Sequence, residues 1–227
     1  MNNKAFINKK IKSNESLFFN RVFGLMSIGL LITAFVAYYT AMTPQLFAIA
    51  SKLGLLLVIG TFGLVIAISA GMNRFSSSTL LTMFIVYAGL NGLTFSFIFM
   101  VYAKSVIYQA FFSTAGMFGA MSIYGYTTKK DLSGLGSILF MALIGIIIAS
   151  VINIFMKSSQ FSLLISIGGV VIFSLLTAYD IQKLKVIQSQ ITSEEQMHKV
   201  SVFGALSLYL DFINIFVYML RLFSQRD

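Results

Sequence analysis

Two carboxylates in the C-terminal third of the chain lie in apolar surroundings. Asp180 ends an apolar run in "LLTAYDIQKLK", and Asp211 lies inside "ALSLYLDFINIFVYMLRLF". A charge near the centre of a membrane span costs about 3 kcal/mol to insert, so such residues usually face other helices and mark an ion or proton path. If these two carboxyl groups meet, they would share a proton and could attract a cation such as calcium.

The neighbours of Asp211 are polar on one side only. Asp211 lies about 12 Å past Phe203 along a helix, and Ser207, Asn214 and Tyr218 recur with it on one helix face. The preceding span has a matching face of small and polar residues, namely Ser166, Gly169, Phe173, Thr177 and Asp180. We therefore predict that the last span lies in the middle of a helix bundle. Asp180 and Asp211 would then lie at similar depth, in the cytoplasmic half.

Membrane-spanning helices must position these residues. The chain has 227 residues, of which 58% are hydrophobic and 10% charged, and its mean hydropathy is +0.89, which excludes an ordinary soluble domain. We predict an all-α integral membrane protein, with one seven-span domain over 22–222, an N-terminal cytoplasmic segment 1–21 and a tail 223–227. The stretches long enough to span are 22–42, 53–72, 79–102, 106–126, 135–156, 161–182 and 203–222.

We attribute the net charge of +9 to charged residues in the loops that orient the chain in the membrane, rather than to nucleic-acid binding. With a cytoplasmic N-terminus, eleven of the 16 Lys and Arg residues lie inside and five outside, which favours an N-in topology. Arg221 and Arg226 favour instead a re-entrant last segment with both termini inside. The absence of cysteine excludes disulfide and thiolate chemistry.

The remaining polar and small residues have structural explanations. Asp131 precedes the fifth span and is predicted to cap that helix. The only histidine, His198, falls with Glu194 and Glu195 in a connection predicted at 183–202, where no metal cluster forms. Several spacings predict close helix packing: Ala115 with Gly119, Gly116 with Ala120, Gly145 with Ala149 and Asn153, and Tyr87 with Asn91 and Thr94.

The segments around the two aspartates resemble a known family. "TAYDIQKLK" followed by "ALSLYLDFINIFVYMLRLF" is similar to the C-terminal signature of the Bax inhibitor-1 family of seven-span membrane proteins. "FFNRVFGLMSIGLLITAFVAYYT" resembles its first span, and the residues from "FFSTAGMFGAMSIYGYTTKKDLSG" to "IASVINIF" resemble its fourth and fifth spans, especially in bacterial members. The resemblance covers about residues 18–223. It implies six helices around a central seventh, in the cell (inner) membrane of a bacterium.

The resemblance also implies a function. Family members form a pH-sensitive calcium leak in which two aspartates, matched here by Asp180 and Asp211, make a hydrogen-bonded pair that controls opening. Arg74 matches an alternative partner for the first aspartate. No cofactor is implied, and the ions involved are calcium and protons. The connection between the two aspartates is longer here than in the bacterial leak protein. Bacterial relatives are linked to modulation of a membrane-bound protease, and eukaryotic ones to suppression of cell death.

Other functions stay open. A non-conducting modulator would bind a membrane protease or another membrane protein and use the aspartates as a structural lock, and a proton-coupled exchanger would use them as a relay. An intramembrane aspartyl protease would match at Tyr179 and Asp180, but the glycines such proteases have before the second aspartate are missing, and no proline follows Pro44. We therefore expect no enzymatic activity. Transient calcium binding at the aspartate pair would draw on Thr177, Asn214 and water.

Overall fold

The computed structural model describes the backbone of residues 2–224 and the side chains of residues 14–224. Within that range the chain is helical and has no strand. Its helices are α1 (Asn2–Met42), α2 (Pro44–Lys52), α3 (Gly54–Gly71), α4 (Ser77–Phe95), α5 (Ile98–Val101), α6 (Lys104–Thr127), α7 (Ser133–Met156), α8 (Ser159–Gln188) and α9 (Glu194–Ser224). Seven segments are long and apolar enough to cross a membrane, which confirms the predicted spans. The predicted tail 223–227 lies outside the described residues from residue 225 onward.

Two features of the N-terminal half were not predicted. The short helix α2 occupies the first connection and begins at Pro44, whose fixed φ suits the first helical position. The third span, predicted at 79–102, is divided into α4 and α5 near Ser96. The Ser96 hydroxyl donates to the Leu93 carbonyl at 2.7 Å. A hydroxyl bonded back to the preceding turn competes with helical hydrogen bonding and favours a bend.

The connection predicted at 183–202 is wrong, because most of it is helical. α8 extends past the predicted sixth span, and α9 starts nine residues before the predicted seventh. Ser193 Oγ accepts from the Gln196 backbone N–H at 3.2 Å, and Gln196 Oε1 accepts from the Thr192 N–H at 3.1 Å. This reciprocal capping starts a helix in polar sequence, which a hydropathy pattern does not detect. Glu194, Glu195 and His198 therefore lie in the first turns of α9.

The described helices form two compact units. One contains α1 to α4 together with Leu184–Tyr209, and the other contains α6, α7, α8 up to Lys183 and α9 from Leu210. In the first unit, α4 packs against both α1 and α3. The last helix is the most buried of the seven spans: 61% of the most apolar window of α9 is buried, against 11% for α7. This agrees with the prediction that the polar face of α9 is shielded from lipid.

The small residues predicted to pack helices together do so only in part. Tyr87 and Asn91 are buried in the first unit, as predicted. Gly116, Gly119 and Gly145 instead have open space where a Cβ would be, so the predicted close packing of these stripes within the chain is wrong. Hydropathy cannot show whether a small residue contacts another helix, because a helix face toward lipid is as apolar as a face toward another helix.

Candidate functional site

Asp211 is a buried carboxyl in the membrane-spanning part of α9. Its exposed fraction is 5%, and its Oδ2 atom has no hydrogen-bond partner in the described part of the chain. A carboxyl group in such surroundings is costly unless a proton, a cation or a hydrogen-bond donor compensates its charge. Asp211 is therefore the residue of this unit that most requires a chemical explanation.

Asp180 and Asp211 both belong to the second unit and are close enough for their carboxyl groups to interact electrostatically. Asp180, on α8, is half-buried. The structure thus brings the two sequence-predicted residues within electrostatic range of each other, although the polar connection between α8 and α9 separates them in the chain. That they form one functional site stays a prediction.

The α8 face that carries Thr177 contains small, hydroxyl-bearing and aromatic residues. Ser166, Gly169, Phe173 and Thr177 are all buried. The Thr177 hydroxyl donates to the Phe173 carbonyl at 2.8 Å and also lies within hydrogen-bonding reach of Asp211.

The polar face of α9 is only partly used for contacts between helices. Ser207 and Asn214 are half-buried, and Asn214 Nδ2 donates to the Leu210 carbonyl of its own helix at 2.8 Å. Tyr218 lies over Gly169 of α8, where a Cβ would come within 2.5 Å of the ring, and stacks on Phe173 with ring centroids 6.0 Å apart. Glycine at 169 is therefore needed for the tyrosine to fit.

The segment of α8 that carries Asp180 is held tightly by its neighbours. A Cβ on Gly125 of α6 would come within 2.8 Å of Ala178 Cα, and one on Gly136 of α7 would come within 2.7 Å of the Tyr179 ring. Gln182 then clamps the loop between α6 and α7. Its Oε1 accepts from the Leu132 N–H at 2.7 Å, and its Nε2 donates to the Lys130 carbonyl at 2.9 Å.

Gln182 was not predicted as a site residue. A lone glutamine near the end of an apolar span carries no periodic signal, and its role depends on a loop fifty residues away. The oxygen and the nitrogen of its side-chain amide each form a hydrogen bond with a backbone group. Gln182 holds α8 at a point two residues beyond Asp180, so it restricts where the Asp180 carboxyl group can lie.

A second buried polar cluster lies in the first unit. Tyr209 of α9 lies with its hydroxyl 2.6 Å from Thr33 Oγ1 of α1 and accepts from Asn91 Nδ2 of α4 at 3.0 Å. Asn91 Nδ2 also donates to the Tyr87 hydroxyl at 3.2 Å. Sequence spacing had placed Tyr87 and Asn91 on one face but did not identify Tyr209 or Thr33. The cluster connects three helices two residues before Asp211.

The other predicted polar residues lie at exposed positions. Arg74 is exposed in the turn between α3 and α4, and its role as a partner of Asp180 stays a prediction. The N-cap of α7 is Leu132 rather than Asp131, so the predicted cap is wrong by one position; Asp131 Oδ1 accepts from the Ser133 N–H at 2.9 Å. That hydrogen bond holds the pKa of Asp131 below its usual range. His198 is also exposed.

The aspartate pair could contribute to a cation site only with help from other oxygens. The described residues contain no group of three or more His, Cys, Asp or Glu side chains that could hold a metal ion. Calcium takes six to eight oxygen ligands, so two carboxyl groups, nearby hydroxyls and water suit transient contact rather than storage.

Comparison with known proteins identifies relatives over nearly the whole chain. The family described as "Inhibitor of apoptosis-promoting Bax1" matches residues 15–227. The Inner membrane protein YbhL of Escherichia coli K12 is 47% identical over 211 residues, covering 91% of this chain and 90% of the relative. An uncharacterised protein of Borreliella burgdorferi is 47% identical, covering 93% of each chain. One of Deinococcus radiodurans is 40% identical, covering 98% of this chain and 96% of the relative.

Proposed function

We propose that this chain, which belongs to the Bax inhibitor-1 family of membrane proteins, is a pH-sensitive calcium leak. The observation that carries the proposal is the buried carboxyl of Asp211, with one oxygen lacking a partner in the described residues, next to a second carboxyl, Asp180. A buried carboxyl group beside a second carboxyl group is a position where a proton or a passing cation would offset the charge.

The pair links α8 to α9 most strongly when it holds one proton. In that state one carboxyl donates to the other, and the pair carries a single negative charge. A second proton removes the charge-assisted character of this bond, and loss of the shared proton leaves two like charges. Two unit charges about 4 Å apart repel by ~4 kcal/mol at an effective dielectric constant of 20. That energy changes a two-state equilibrium by roughly a thousandfold, which is enough to open or close a helix contact.

Calcium would pass the pair as a partly hydrated ion. Asp180 and Asp211 supply the charge, and Thr177 and Asn214 supply neutral oxygens on the same faces of α8 and α9. Weak, incomplete coordination allows an ion to leave as readily as it enters, which conduction requires. The inner membrane of a bacterial cell is the location for which the similar protein of Escherichia coli is named, and a cytoplasmic N-terminus is the orientation that the positive-inside count favours.

The test is calcium entry into liposomes that contain the purified protein, measured over a range of pH. Wild-type protein should pass calcium at a rate that changes with pH. Asp211→Asn should lose that pH dependence, because an amide cannot share a proton with Asp180. Glu194→Gln, at an exposed position at the start of α9, is the matched control and should titrate like wild type. The absence of calcium entry at every pH would rule out a leak.

The second candidate, a non-conducting modulator, gives a different result. It predicts no calcium flux, together with co-purification of a membrane protease whose activity depends on the chain. Asn substitution of either aspartate would then weaken that association without any ion current. The liposome experiment and the protease assay therefore separate the two functions.

A further inference from the structure

Tyr218 of α9 lies on the contact line between α8 and α9 that also carries Asp211. At one level of this contact line, Asp211 lies within hydrogen-bonding reach of Thr177. Two turns further along α9, the Tyr218 ring lies on Gly169 and Phe173 of α8. The two helices therefore run antiparallel along these faces, and Tyr218 lies about 10 Å from Asp211 toward the C-terminal end of α9.

The Tyr218 ring leaves no passage between itself and the backbone of α8. A Cβ on Gly169 would lie 2.5 to 2.6 Å from three atoms of the ring, so the space there is too small for a methyl group. One turn away, the buried Phe173 ring stacks on Tyr218 with centroids 6.0 Å apart and planes inclined at 29°. A hydrated cation that moves along this contact line from the aspartates cannot pass the two rings while they keep this arrangement.

Two further contacts hold the ring in place. The Arg221 guanidinium carbon lies 5.6 Å from the centre of the Tyr218 ring, within the range of a cation–π interaction. The Tyr218 hydroxyl lies within hydrogen-bonding reach of Ser150 on α7. Tyr218 is half-buried and Arg221 is exposed, so the ring is not enclosed on every side and has room to move. The charge of Arg221 also repels a cation that approaches from the C-terminal end of α9.

We propose that the Tyr218 ring is the barrier on this side of the aspartate pair and determines how fast calcium passes. The inference rests on the proposed function, because it concerns the way out of the pair. Calcium passage then needs two separate events: a change of proton at the pair, and movement of the ring away from Gly169. Tyr218 acts sterically, whereas Asn214, one turn closer to Asp211, offers an oxygen to the ion.

Calcium entry into liposomes separates the ring from its hydroxyl. Tyr218→Ala should raise the rate of entry by about fivefold or more, which is the factor that the smallest aromatic-pair and cation–π energies give together. Arg221→Gln removes the cation alone and should raise the rate by about two- to fivefold. Tyr218→Phe keeps the ring and should raise the rate less than Tyr218→Ala does.

Tyr108→Ala is the matched control. Tyr108 is 62% exposed and lies near the start of α6, the fourth span, which begins on the side of the membrane where the seventh span ends. This variant removes a tyrosine ring from the same side of the membrane but from outside the contact line. It should conduct calcium like wild type.

A thiol probe tests the barrier without any calcium flux. The chain has no cysteine, so Asn214→Cys provides a single thiol one turn from Tyr218 toward Asp211. A charged methanethiosulfonate reagent applied from the C-terminal side of α9 should label this thiol slowly in the presence of the Tyr218 ring and faster after Tyr218→Ala. Adding Tyr108→Ala instead should leave the labelling rate unchanged.

The two measurements separate this inference from the proposed function. If wild type conducts calcium but Tyr218→Ala, shown to be folded, changes neither calcium entry nor labelling, the barrier is overturned and the leak stands. If no variant conducts calcium but Tyr218→Ala speeds labelling, the leak is wrong and the barrier is supported. Equal labelling rates with and without the ring overturn the barrier in every case.

Discussion

Replacing Tyr209 by phenylalanine removes a single hydroxyl group from the buried cluster of the first unit. Tyr209 is 0% exposed. The Thr33 hydroxyl lies 2.9 Å from the Ala88 carbonyl and donates to it, so Tyr209 must be the donor in the 2.6 Å contact with Thr33. The same hydroxyl accepts from Asn91. The substitution therefore removes one donated and one accepted hydrogen bond.

The expected cost follows from those two bonds. The phenylalanine ring keeps the edge-on contacts with Phe84 and Tyr87, whose centroids lie 5.8 and 5.5 Å away, so apolar burial is unchanged. Hydrogen bonds between helices in membrane proteins average about 0.6 kcal/mol and reach ~1.7 kcal/mol. Thr33 and Asn91 each retain another partner, which limits the loss. We expect the free energy of unfolding to fall by about 1 to 3 kcal/mol.

Reversible unfolding of the purified protein in detergent or lipid measures this change. Tyr108→Phe removes the hydroxyl of a tyrosine that is 62% exposed and should change the unfolding free energy by less than about 0.5 kcal/mol. If Tyr209→Phe changes the unfolding free energy no more than this control does, the cluster does not hold α1, α4 and α9 together in the way that its geometry indicates.

Three further predictions concern packing and helix ends. Gly125→Ala should lower the unfolding free energy by about 1 to 3 kcal/mol, because its methyl group meets the backbone of Ala178. Gly119→Ala is the control and should be neutral or stabilising, because Gly119 has open space where the methyl group would lie. Equal melting temperatures for the two variants would contradict this prediction. Glu195→Ala removes the acceptor of the Ser77 N–H and hydroxyl, each at 2.9 Å, and should speed amide exchange in the first turn of α4, with Glu194→Ala as the control that leaves exchange unchanged. Asp131→Asn should lower the melting temperature at neutral pH only. The pKa of Asp131 is lower in the folded state, so its stabilisation is complete above the unfolded pKa and is lost as pH falls through the folded value; a difference that persists at the acid limit would contradict it.

The sequence predicts the seven spans because a helix needs about twenty mostly apolar residues to cross lipid. It also predicts the polar faces of α8 and α9, since a charged residue such as Asp211 in an apolar segment demands shielding. The predicted end of the connection between α8 and α9 was wrong because it was taken from hydropathy alone. Hydropathy follows the membrane, while Ser193 and Gln196 start a helix outside it by local hydrogen bonding.

Packing partners could not be predicted from the sequence. Gly125 and Gly119 lie in the same span, yet only Gly125 meets another helix closely. Gln182 and Tyr209 are ordinary residues in their local sequence, and their contacts join segments far apart in the chain. Which small or polar residue meets which neighbour depends on helix rotation and register, which the hydropathy pattern leaves undetermined.

The most direct test of the aspartate pair is a double-mutant cycle on the pH dependence of calcium flux. Wild type, Asp180→Asn, Asp211→Asn and the double variant are compared in liposomes over the same pH range. If the two carboxyl groups act as one proton-sharing unit, each single variant loses the pH dependence, and the double variant behaves like either single one. Contradiction would come from single variants that keep separate pH responses, with a double variant whose loss is the sum of theirs.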